Sequence, residues 1–496
     1  MNLANVFDRH DGDAVAILSR GRGTSYGELR RQVAGLRGGL AQLGLVPGDR
    51  VAIVCGNNWY FVVSYLAALG CGLVAVPLNP TSPPLELQHQ LAAVGARAVV
   101  LGPTAREAID AMDPSQLPDL ELVIGCGYEP VGGVHLDDLV GGEPGPIVER
   151  DDDDLAVLVF TSGTAGSPKA AMLSHGNLRA NLSQMISAPG DHQGPGDVVF
   201  AVLPMFHIFG LNVVLGLTLA VGATMLLVER FDPASAVESI VKHGVSIISG
   251  PPTMWSAFVG MPDLPADSFS TVRVAVSGAA RLPEETARSF ERRFGVRLHE
   301  GYGLTETSPV VTSSVGCGAP LGSVGVPVPG LEVRLVDDQG DDVLVGDSGE
   351  VWVRGPNVFK GYWNDPDTSR RTVDEDGWLH TGDVATVDDD GFLYLVDRVK
   401  DLIIVSGFNV YPAEVEEVLM SHPSIDACAV VGVPHPYSGE AVKAYVVTVK
   451  GRSIEEDEIV RYCSARLARY KCPEKIWFVD EVPQGMGGKV LRRALR

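Results

Sequence analysis

A run of small and hydroxyl residues that ends in a lysine follows the apolar stretch Leu155–Phe160. The run reads Thr161-Ser162-Gly163-Thr164-Ala165-Gly166-Ser167-Pro168-Lys169. Glycines and short side chains let successive backbone N–H groups converge on an anion without Cβ clashes, and Lys169 adds a positive charge. We therefore predict a strand that leads into a phosphate-binding loop.

The spacing within this loop excludes the Walker A pattern, in which four residues separate the first glycine from Gly-Lys-Ser/Thr. Here two residues separate Gly163 from Gly166, and Lys169 stands apart from that second glycine. A different nucleotide-binding fold is therefore indicated. Taken alone, the same composition also fits a Ser/Gly-rich surface loop.

Three further motifs follow the loop along the chain. They are Gly301-Tyr302-Gly303-Leu304-Thr305-Glu306-Thr307, then Tyr394-Leu395-Val396-Asp397-Arg398-Val399-Lys400-Asp401, then Gly488-Lys489. Together with the loop they resemble, in the same order, the motifs of the adenylate-forming (ANL) superfamily. That superfamily includes acyl-CoA synthetases, luciferases and the adenylation domains of peptide synthetases. The resemblance extends over essentially the whole chain.

The resemblance implies a site for ATP and for Mg²⁺. Tyr302 would lie against the adenine ring, and Thr305 would donate a hydrogen bond to the α-phosphate. Glu306 would be the magnesium ligand, which suits a hard cation that prefers carboxylate and phosphate oxygens. The residues implied to hold the β- and γ-phosphates are Thr161, Ser162, Gly163, Thr164, Gly166 and Lys169, and those implied to line the other side of the adenine are Gly278, Ala279 and Ala280.

The resemblance also assigns residues to the ribose, to CoA and to a hinge. Asp383 matches the aspartate that accepts both ribose hydroxyls, and Arg398 matches the basic residue that reaches the same sugar. Lys400 occupies the hinge position between two domains. Gly407 matches the glycine beside the pantetheine tunnel, where the lack of a Cβ lets a thin chain pass close to the backbone.

Lys489 is implied to be catalytic. A carboxylate that attacks an α-phosphate brings two anions together, so a cation between them lowers the barrier. His207 and Phe206, within Pro204–Gly210, are implied to line the acyl pocket, and we do not expect His207 to act as a base. Without the upstream motifs, Lys489 would be interpreted as a solvated tail residue and His207 as a buried structural histidine.

Composition narrows the class of protein. A chain of 496 residues with 45% hydrophobic and 20% charged residues is long enough for two or three globular domains. A net charge of -23 argues against general binding of nucleic acid or acidic lipid, because such a surface repels polyanions. Seven cysteines without a C-x-x-C pair indicate reduced thiols and a cytoplasmic protein. Prolines and glycines interrupt the uncharged stretch between Asp197 and Glu229, so we expect no transmembrane span.

Apolar periodicity predicts the elements that position these residues. From Ser25 onward, capped amphipathic helices alternate with continuous apolar strands such as Val51–Val54 and Ala98–Leu101. This pattern predicts a parallel sheet covered by helices on both faces. Residues 320–355 change to short alternating strands separated by Gly/Asp turns, which is typical of an antiparallel or barrel-like sheet.

After Lys400 we predict a small α+β domain with a helix that begins at Pro412 and another capped by Ser453. The predicted fold is therefore α/β. Residues 1–399 would form a large N-terminal domain of layered parallel α/β subdomains plus a small β-barrel-like subdomain. Residues 400–496 would form a small mobile C-terminal domain with its hinge at Lys400.

The reaction favoured by the resemblance is ATP-dependent formation of an acyl-CoA, with a medium- or long-chain fatty acid as substrate. Only 43 residues separate Glu306 from Glu350, which leaves no room for the insertion that marks fatty acyl-AMP ligases. The alternatives are an aryl (coumarate-type) CoA ligase, a ligase that hands its acyl-AMP to a carrier protein, and an inactive paralogue that only binds nucleotide or acyl groups. The sequence leaves a homodimer open.

Overall fold

The computed structural model describes residues 1–161, 169–190, 193–398, 403–405, 408–435, 439–467, 471–484 and 490–495. Within these ranges the elements form four sheets and their covering helices. Strands and helices are numbered below in chain order.

The first sheet has seven strands in the order β7-β6-β5-β3-β4-β8-β9. All neighbouring pairs are parallel except β8 with β9, which are antiparallel. The predicted parallel sheet is therefore confirmed. Its strands are β3 (Arg50–Val54), β4 (Val74–Pro77), β5 (Ala98–Leu101), β6 (Leu122–Gly125), β7 (Val134–His135), β8 (Leu155–Thr161) and β9 (Lys169–Ser174).

The second sheet has nine strands in the order β16-β15-β14-β13-β12-β10-β11-β1-β2. Its six central strands, from β14 to β1, are parallel, and the outer strands at both edges pair antiparallel. Its strands are β1 (Val15–Ser19), β2 (Arg22–Ser25), β10 (Val198–Ala201), β11 (Thr224–Leu227), β12 (Ile247–Gly250), β13 (Val274–Ser277), β14 (Leu298–Gly303), β15 (Val310–Ser313) and β16 (Val326–Pro327).

Helices cover both faces of these two sheets, and the last two helices of the chain pack against a later sheet. The α-helices are α1 (Tyr26–Gln42), α2 (Trp59–Gly70), α3 (Pro84–Val94), α4 (Arg106–Asp110), α5 (Leu136–Val140), α6 (His175–Ser187), α7 (Leu217–Val221), α8 (Pro233–His243), α9 (Pro252–Val259), α10 (Glu284–Phe294), α11 (Pro366–Thr372), α12 (Pro412–Met420) and α13 (Glu456–Ser464), and residues Phe209–Gly216 form a π-helix. Helix α1 begins where predicted, with the Ser25 side chain accepting from the Glu28 N–H.

Successive apolar residues along one strand belong to different hydrophobic cores. In β12, Ile247 packs into the core shared by the two sheets, whereas Ile248 packs under α8, α9 and α10. In β3, Ile53 faces the shared core and Val54 faces α3. Successive side chains of a strand point to opposite faces, so both sheets are buried on both sides.

The third sheet is antiparallel, with strands in the order β17-β18-β19-β20. Every second residue of β18 is buried, which confirms the alternation predicted for this region. The strands are β17 (Glu332–Val336), β18 (Gly349–Arg354), β19 (Leu379–Val387) and β20 (Leu393–Arg398).

The fourth sheet is built only from residues that follow Lys400, with α12 and α13 packed against it. Helix α12 begins at Pro412 as predicted. The predicted Ser453 cap is wrong, because Glu455 is the N-cap of α13 and Ile454 is buried in the domain core. The strands are β21 (Ile403–Val405), β22 (Phe408–Val410), β23 (Ile425–His435), β24 (Gly439–Thr448) and β25 (Lys475–Phe478).

The uncharged stretch between Asp197 and Glu229 folds into β10, the π-helix, α7 and β11. These elements alternate between sheet and helix, as the prolines and glycines of the stretch predict. Over the part of the chain that the structure describes, no helix combines the length and apolar character needed to cross a bilayer.

Candidate active site

The predicted phosphate-binding loop leaves the sheet at the end of β8 and returns at the start of β9. Thr161 and Lys169 are direct partners in this antiparallel pair, so they close the base of the loop. Ser162, Gly163, Thr164 and Gly166 lie outside the described residues. The carboxyl end of β8, next to the parallel strand β4, is where a ligand site is expected in such a sheet.

The ammonium group of Lys169 is held by side chains that are distant in sequence. Its Nζ donates to Oδ2 of Asp365 and to Oγ1 of Thr368, both at 2.7 Å. Lys169, together with the backbone N–H and the hydroxyl of Thr368, lowers the pKa of the Asp365 carboxyl group. The positive charge predicted for the phosphate loop is therefore shared with a carboxylate at the loop's base.

The predicted adenine wall follows the end of β13. Gly278 donates its N–H to the Gly250 carbonyl at 3.2 Å, and Ala279 has a positive φ of 68°. A left-handed alanine is strained, and such strain concentrates at ligand sites. A Cβ at position 278 would stand 2.9 Å from Cε1 of Phe209, so only glycine fits beside that ring. Ala280 is exposed.

Glu300, in β14, fixes the loop after this wall. Its buried carboxylate accepts from the backbone N–H groups of Leu282 and Gly322. Burial raises the pKa of Glu300, although these N–H donors partly offset that effect. Because Leu282 stands two residues past Ala280, this contact restrains the backbone next to the predicted adenine wall.

Tyr302 and Asp383 form a buried pair between two different sheets. Tyr302, in β14, donates its hydroxyl hydrogen to Oδ2 of Asp383, in β19, at 2.8 Å. Both residues are less than a tenth exposed. The structure thus brings together the candidates for adenine and ribose contact, which stand far apart in the sequence.

Arg398 lies directly across from Asp383 in the antiparallel pair of β19 and β20. The register therefore places the two predicted ribose residues side by side.

Thr305 and Glu306 lie in a short 3-10 turn, Thr305–Thr307, directly after β14. Both are half-buried. Oε1 of Glu306 accepts a hydrogen bond of 2.6 Å from the hydroxyl of Tyr362, and the Glu306 carbonyl accepts from the Phe359 N–H. The predicted metal ligand is therefore tied to the segment that also carries Asp365.

His207 and Phe206 precede the π-helix Phe209–Gly216, an uncommon form that recurs at functional sites. The Phe209 N–H lies 3.3 Å from Nδ1 of His207 and donates to it, so the neutral ring carries its proton on Nε2. The dense surrounding protein lowers the pKa of His207 by desolvating its charged form, although the ring remains accessible. A neutral, accessible ring fits a pocket wall, and Phe206 beside it is half-buried.

Lys400, Gly407 and Lys489 lie outside the described residues. The chain on either side of Lys489 is nevertheless well anchored. Gln484 and Val490 form an antiparallel bridge, and the Leu491 N–H donates to the Pro483 carbonyl at 2.8 Å.

Two residues that sequence reasoning did not single out now contact predicted site residues. They are Tyr362, which bonds to Glu306, and Asp365, which pairs with Lys169. The Asp365-Pro366 pair is a typical helix start, with an N-cap aspartate and proline at the first position. That signal could have located α11, but not its contact with the phosphate loop.

The sequence and the fold of this chain match known proteins. A family model described as "AMP-binding enzyme" matches residues 4–363, and one described as "AMP-binding enzyme C-terminal domain" matches residues 414–489. A feruloyl-CoA synthase of Amycolatopsis sp is 38% identical over 97% of this chain and 95% of its own length. A long-chain-fatty-acid–CoA ligase of Yersinia pestis is 37% identical over 98% of this chain and 91% of its own.

Among solved structures, ATP-bound MatB from Rhodopseudomonas palustris matches with a TM-score of 0.92 and 34% identity, over 100% of this chain and 98% of that one. The apo form of the same protein matches over the same shares with a TM-score of 0.82. The family models cover most of the chain, and the curated relatives cover nearly all of it. The chain therefore belongs to the AMP-binding enzyme family, in the adenylate-forming superfamily.

Proposed function

We propose that this protein is an AMP-forming acyl-CoA synthetase. It would activate a carboxylic acid with ATP to acyl-AMP and pyrophosphate, and then pass the acyl group to the thiol of CoA. The observation that carries the proposal is the 2.8 Å hydrogen bond between Tyr302 and Asp383. It joins the adenine and ribose candidates of two sheets into one buried unit, which suits an adenylate intermediate.

In the first half-reaction a carboxylate oxygen bonds to the α-phosphorus, and the bond from that phosphorus to the pyrophosphate oxygen breaks. The charge on the α-phosphate and on the incoming acid must be compensated for this step to proceed. Our proposed groups are the Thr305 hydroxyl at the α-phosphate and the Lys489 ammonium between the two anions. The loop that begins at Thr161 and ends at Lys169 would bind the departing pyrophosphate.

We propose Glu306 as the protein's ligand for Mg²⁺, which would supply charge compensation at the phosphates. The described residues contain no cluster of three His, Cys, Asp or Glu side chains that could hold a metal unaided. Mg²⁺ typically takes one or two protein carboxylates and completes its shell with phosphate oxygens and water. A half-buried carboxylate at the end of β14 fits that role.

In the second half-reaction the CoA sulfur attacks the acyl carbonyl carbon, the bond from that carbon to the AMP oxygen breaks, and AMP leaves. Gly407 would border the path of the pantetheine chain. The domain that follows the hinge at Lys400 would carry both Gly407 and Lys489, while residues 1–399 hold the nucleotide and the acid.

The acid itself we propose to be a medium- or long-chain fatty acid, received by the apolar wall around Phe206 and His207. An aryl acid is the second candidate. One contact favours it: a Cβ at Gly278 would stand 2.9 Å from Cε1 of Phe209, so an aromatic ring lies beside the predicted adenine wall. A relative is also named a feruloyl-CoA synthase.

A panel of acids tests these proposals. Fatty acids of graded length and hydroxycinnamic acids would be assayed for acid-dependent pyrophosphate release and, separately, for CoA thioester formation. We expect both products, with fatty acids preferred. Pyrophosphate release without thioester would indicate a carrier-protein acceptor, and no release with any acid would indicate an inactive nucleotide-binding paralogue.

A further inference from the structure

The segment 359–365, between β18 and α11, contacts two parts of the proposed nucleotide site. Tyr362 bonds to Oε1 of Glu306 at 2.6 Å, and Asp365 holds the ammonium of Lys169. The Lys169 ammonium also lies 5.5 Å from the centre of the Tyr362 ring. One turn of chain thus links the candidate metal ligand to the base of the phosphate loop.

The backbone of this segment is fixed independently of the Tyr362 hydroxyl. It runs beside β9 as an added strand, in which Met172 donates to the Gly361 carbonyl at 2.9 Å and Trp363 donates to the Ala170 carbonyl at 2.8 Å. The N–H of Phe359 donates to the Glu306 carbonyl at 2.9 Å. Removal of the hydroxyl alone should therefore leave the fold in place.

The hydroxyl of Tyr362 contacts the Glu306 carboxylate directly. Tyr362 is half-buried, and its hydroxyl donates to Oε1 of Glu306 at 2.6 Å. Hydrogen bonds from a hydroxyl to an ionised carboxylate are short and strong, as the 2.6 Å distance indicates. Among the described residues nothing donates to the second oxygen, Oε2. A glutamate that could otherwise adopt several rotamers is thereby held by one oxygen, with the other left for a ligand.

We propose that Tyr362 is a positioning residue for the metal site: its hydroxyl holds Glu306 in one rotamer and leaves Oε2 available for the Mg²⁺ that accompanies ATP. The inference rests on the proposed function, because it assumes that Glu306 is the metal ligand. Tyr362 itself would touch neither the metal nor the reacting atoms.

The test measures metal binding directly in full-length protein. Mn²⁺ replaces Mg²⁺ as a paramagnetic probe, and its affinity for the complex with a non-hydrolysable ATP analogue is measured by electron paramagnetic resonance. In Tyr362→Phe we expect this affinity to fall about tenfold, the loss of roughly one charge-assisted hydrogen bond. Binding of AMP without metal should be unchanged.

The matched control is Tyr60→Phe, which removes a hydroxyl that donates to the Asp137 carboxylate at 3.3 Å, between α2 and α5. It should leave Mn²⁺ affinity unaltered. Unchanged Mn²⁺ affinity in a Tyr362→Phe protein that still binds AMP would overturn the proposal and leave Tyr362 with a packing role.

A double-mutant cycle covers the case in which Tyr362→Phe also lowers stability. If Tyr362 acts through Glu306, adding Tyr362→Phe to Glu306→Gln should cause no further loss of Mn²⁺ affinity. Additive losses would contradict the proposal. Failure of the proposed function is distinguishable, because it would show in the wild type as absence of acid-dependent pyrophosphate release whatever Tyr362 does to the metal.

Discussion

Tyr302 would contribute a hydroxyl as well as a ring to the proposed nucleotide site, since it donates to the buried carboxylate of Asp383. If Asp383 binds the ribose, the same bond fixes the orientation of the ribose acceptor. A hydrogen bond to a charged group contributes about 1.5–3 kcal/mol. Tyr302→Phe should therefore weaken AMP binding by roughly 10- to 100-fold, measured by isothermal titration calorimetry. An affinity equal to that of wild type would mean that Asp383 does not need this donor.

A substitution of Lys489 should affect one half-reaction and spare the other. Because its proposed place is between the acid and the α-phosphate, Lys489→Ala should lower acid-dependent ATP–pyrophosphate exchange by about 100- to 1,000-fold. Thioester formation from supplied acyl-AMP and CoA should persist, because the thiol attack does not involve those two anions. Equal loss of both half-reactions, in a folded variant, would contradict this role.

Sequence singled out candidate site residues only where a motif carried them, and their roles remain predictions. Tyr302 and Glu306 stand within one such motif. Tyr362 and Asp365 were missed because their importance arises from contacts with Glu306 and Lys169, 56 and 196 residues away. Such contacts depend on how β9 packs beside the segment after β18, which no local pattern encodes.

At the scale of the element, the docking of the N-terminal segment on α6 depends on a neutral histidine. His175 is fully buried, and its Nδ1 accepts from the Leu3 N–H at 3.1 Å. Desolvation, with a smaller contribution from nearby positive charges such as Arg150, lowers the pKa of His175 to about 4. His175 is therefore protonated near pH 6.5 in the unfolded chain but stays neutral at that pH in the folded protein.

The sign of the resulting pH dependence follows from this difference. Between about pH 4 and 6.5 the unfolded chain binds the proton and the folded protein does not, so the free energy of unfolding should fall as the pH falls through this window. The full effect would be about 3 kcal/mol. His175→Asn, which keeps an acceptor but cannot titrate, should show a correspondingly flatter profile in denaturant unfolding from pH 4 to 7. An identical slope in both proteins would mean that His175 is not desolvated.

Elements with a strong local signal were predictable. Pro412 opens α12 because proline suits the first helical position, and continuous apolar runs predicted the strands of the parallel sheets. The π-helix after His207 was not predictable in form, since its apolar sequence fits an α-helix equally well. Ser453 illustrates a further limit, because burial of Ile454 outweighed the local capping preference.

At the scale of the whole molecule, the two parts of the chain meet through a charged contact beside the predicted adenine wall. Arg281, directly after the adenine wall, donates to Glu417 of α12 at 3.0 Å. Both side chains are more than half exposed, and exposed ion pairs contribute at most about 1 kcal/mol. Such a contact can select one orientation of the small domain without locking it.

The proposed chemistry requires two orientations of the small domain relative to residues 1–399. A substitution at the proposed hinge tests this requirement. Lys489 is needed where the acid meets the α-phosphate, and Gly407 where the thiol meets the acyl carbonyl, yet both belong to the same small domain. A few backbone torsions at Lys400 could absorb the rotation between these poses. Lys400→Pro would hold φ near about -65° and remove one N–H, while it leaves the proposed catalytic groups intact. We expect one half-reaction to survive and overall acyl-CoA formation to fall at least about tenfold, measured by assaying exchange and thioester formation separately. Near-normal overall turnover in a folded Lys400→Pro protein would show that one pose serves both steps.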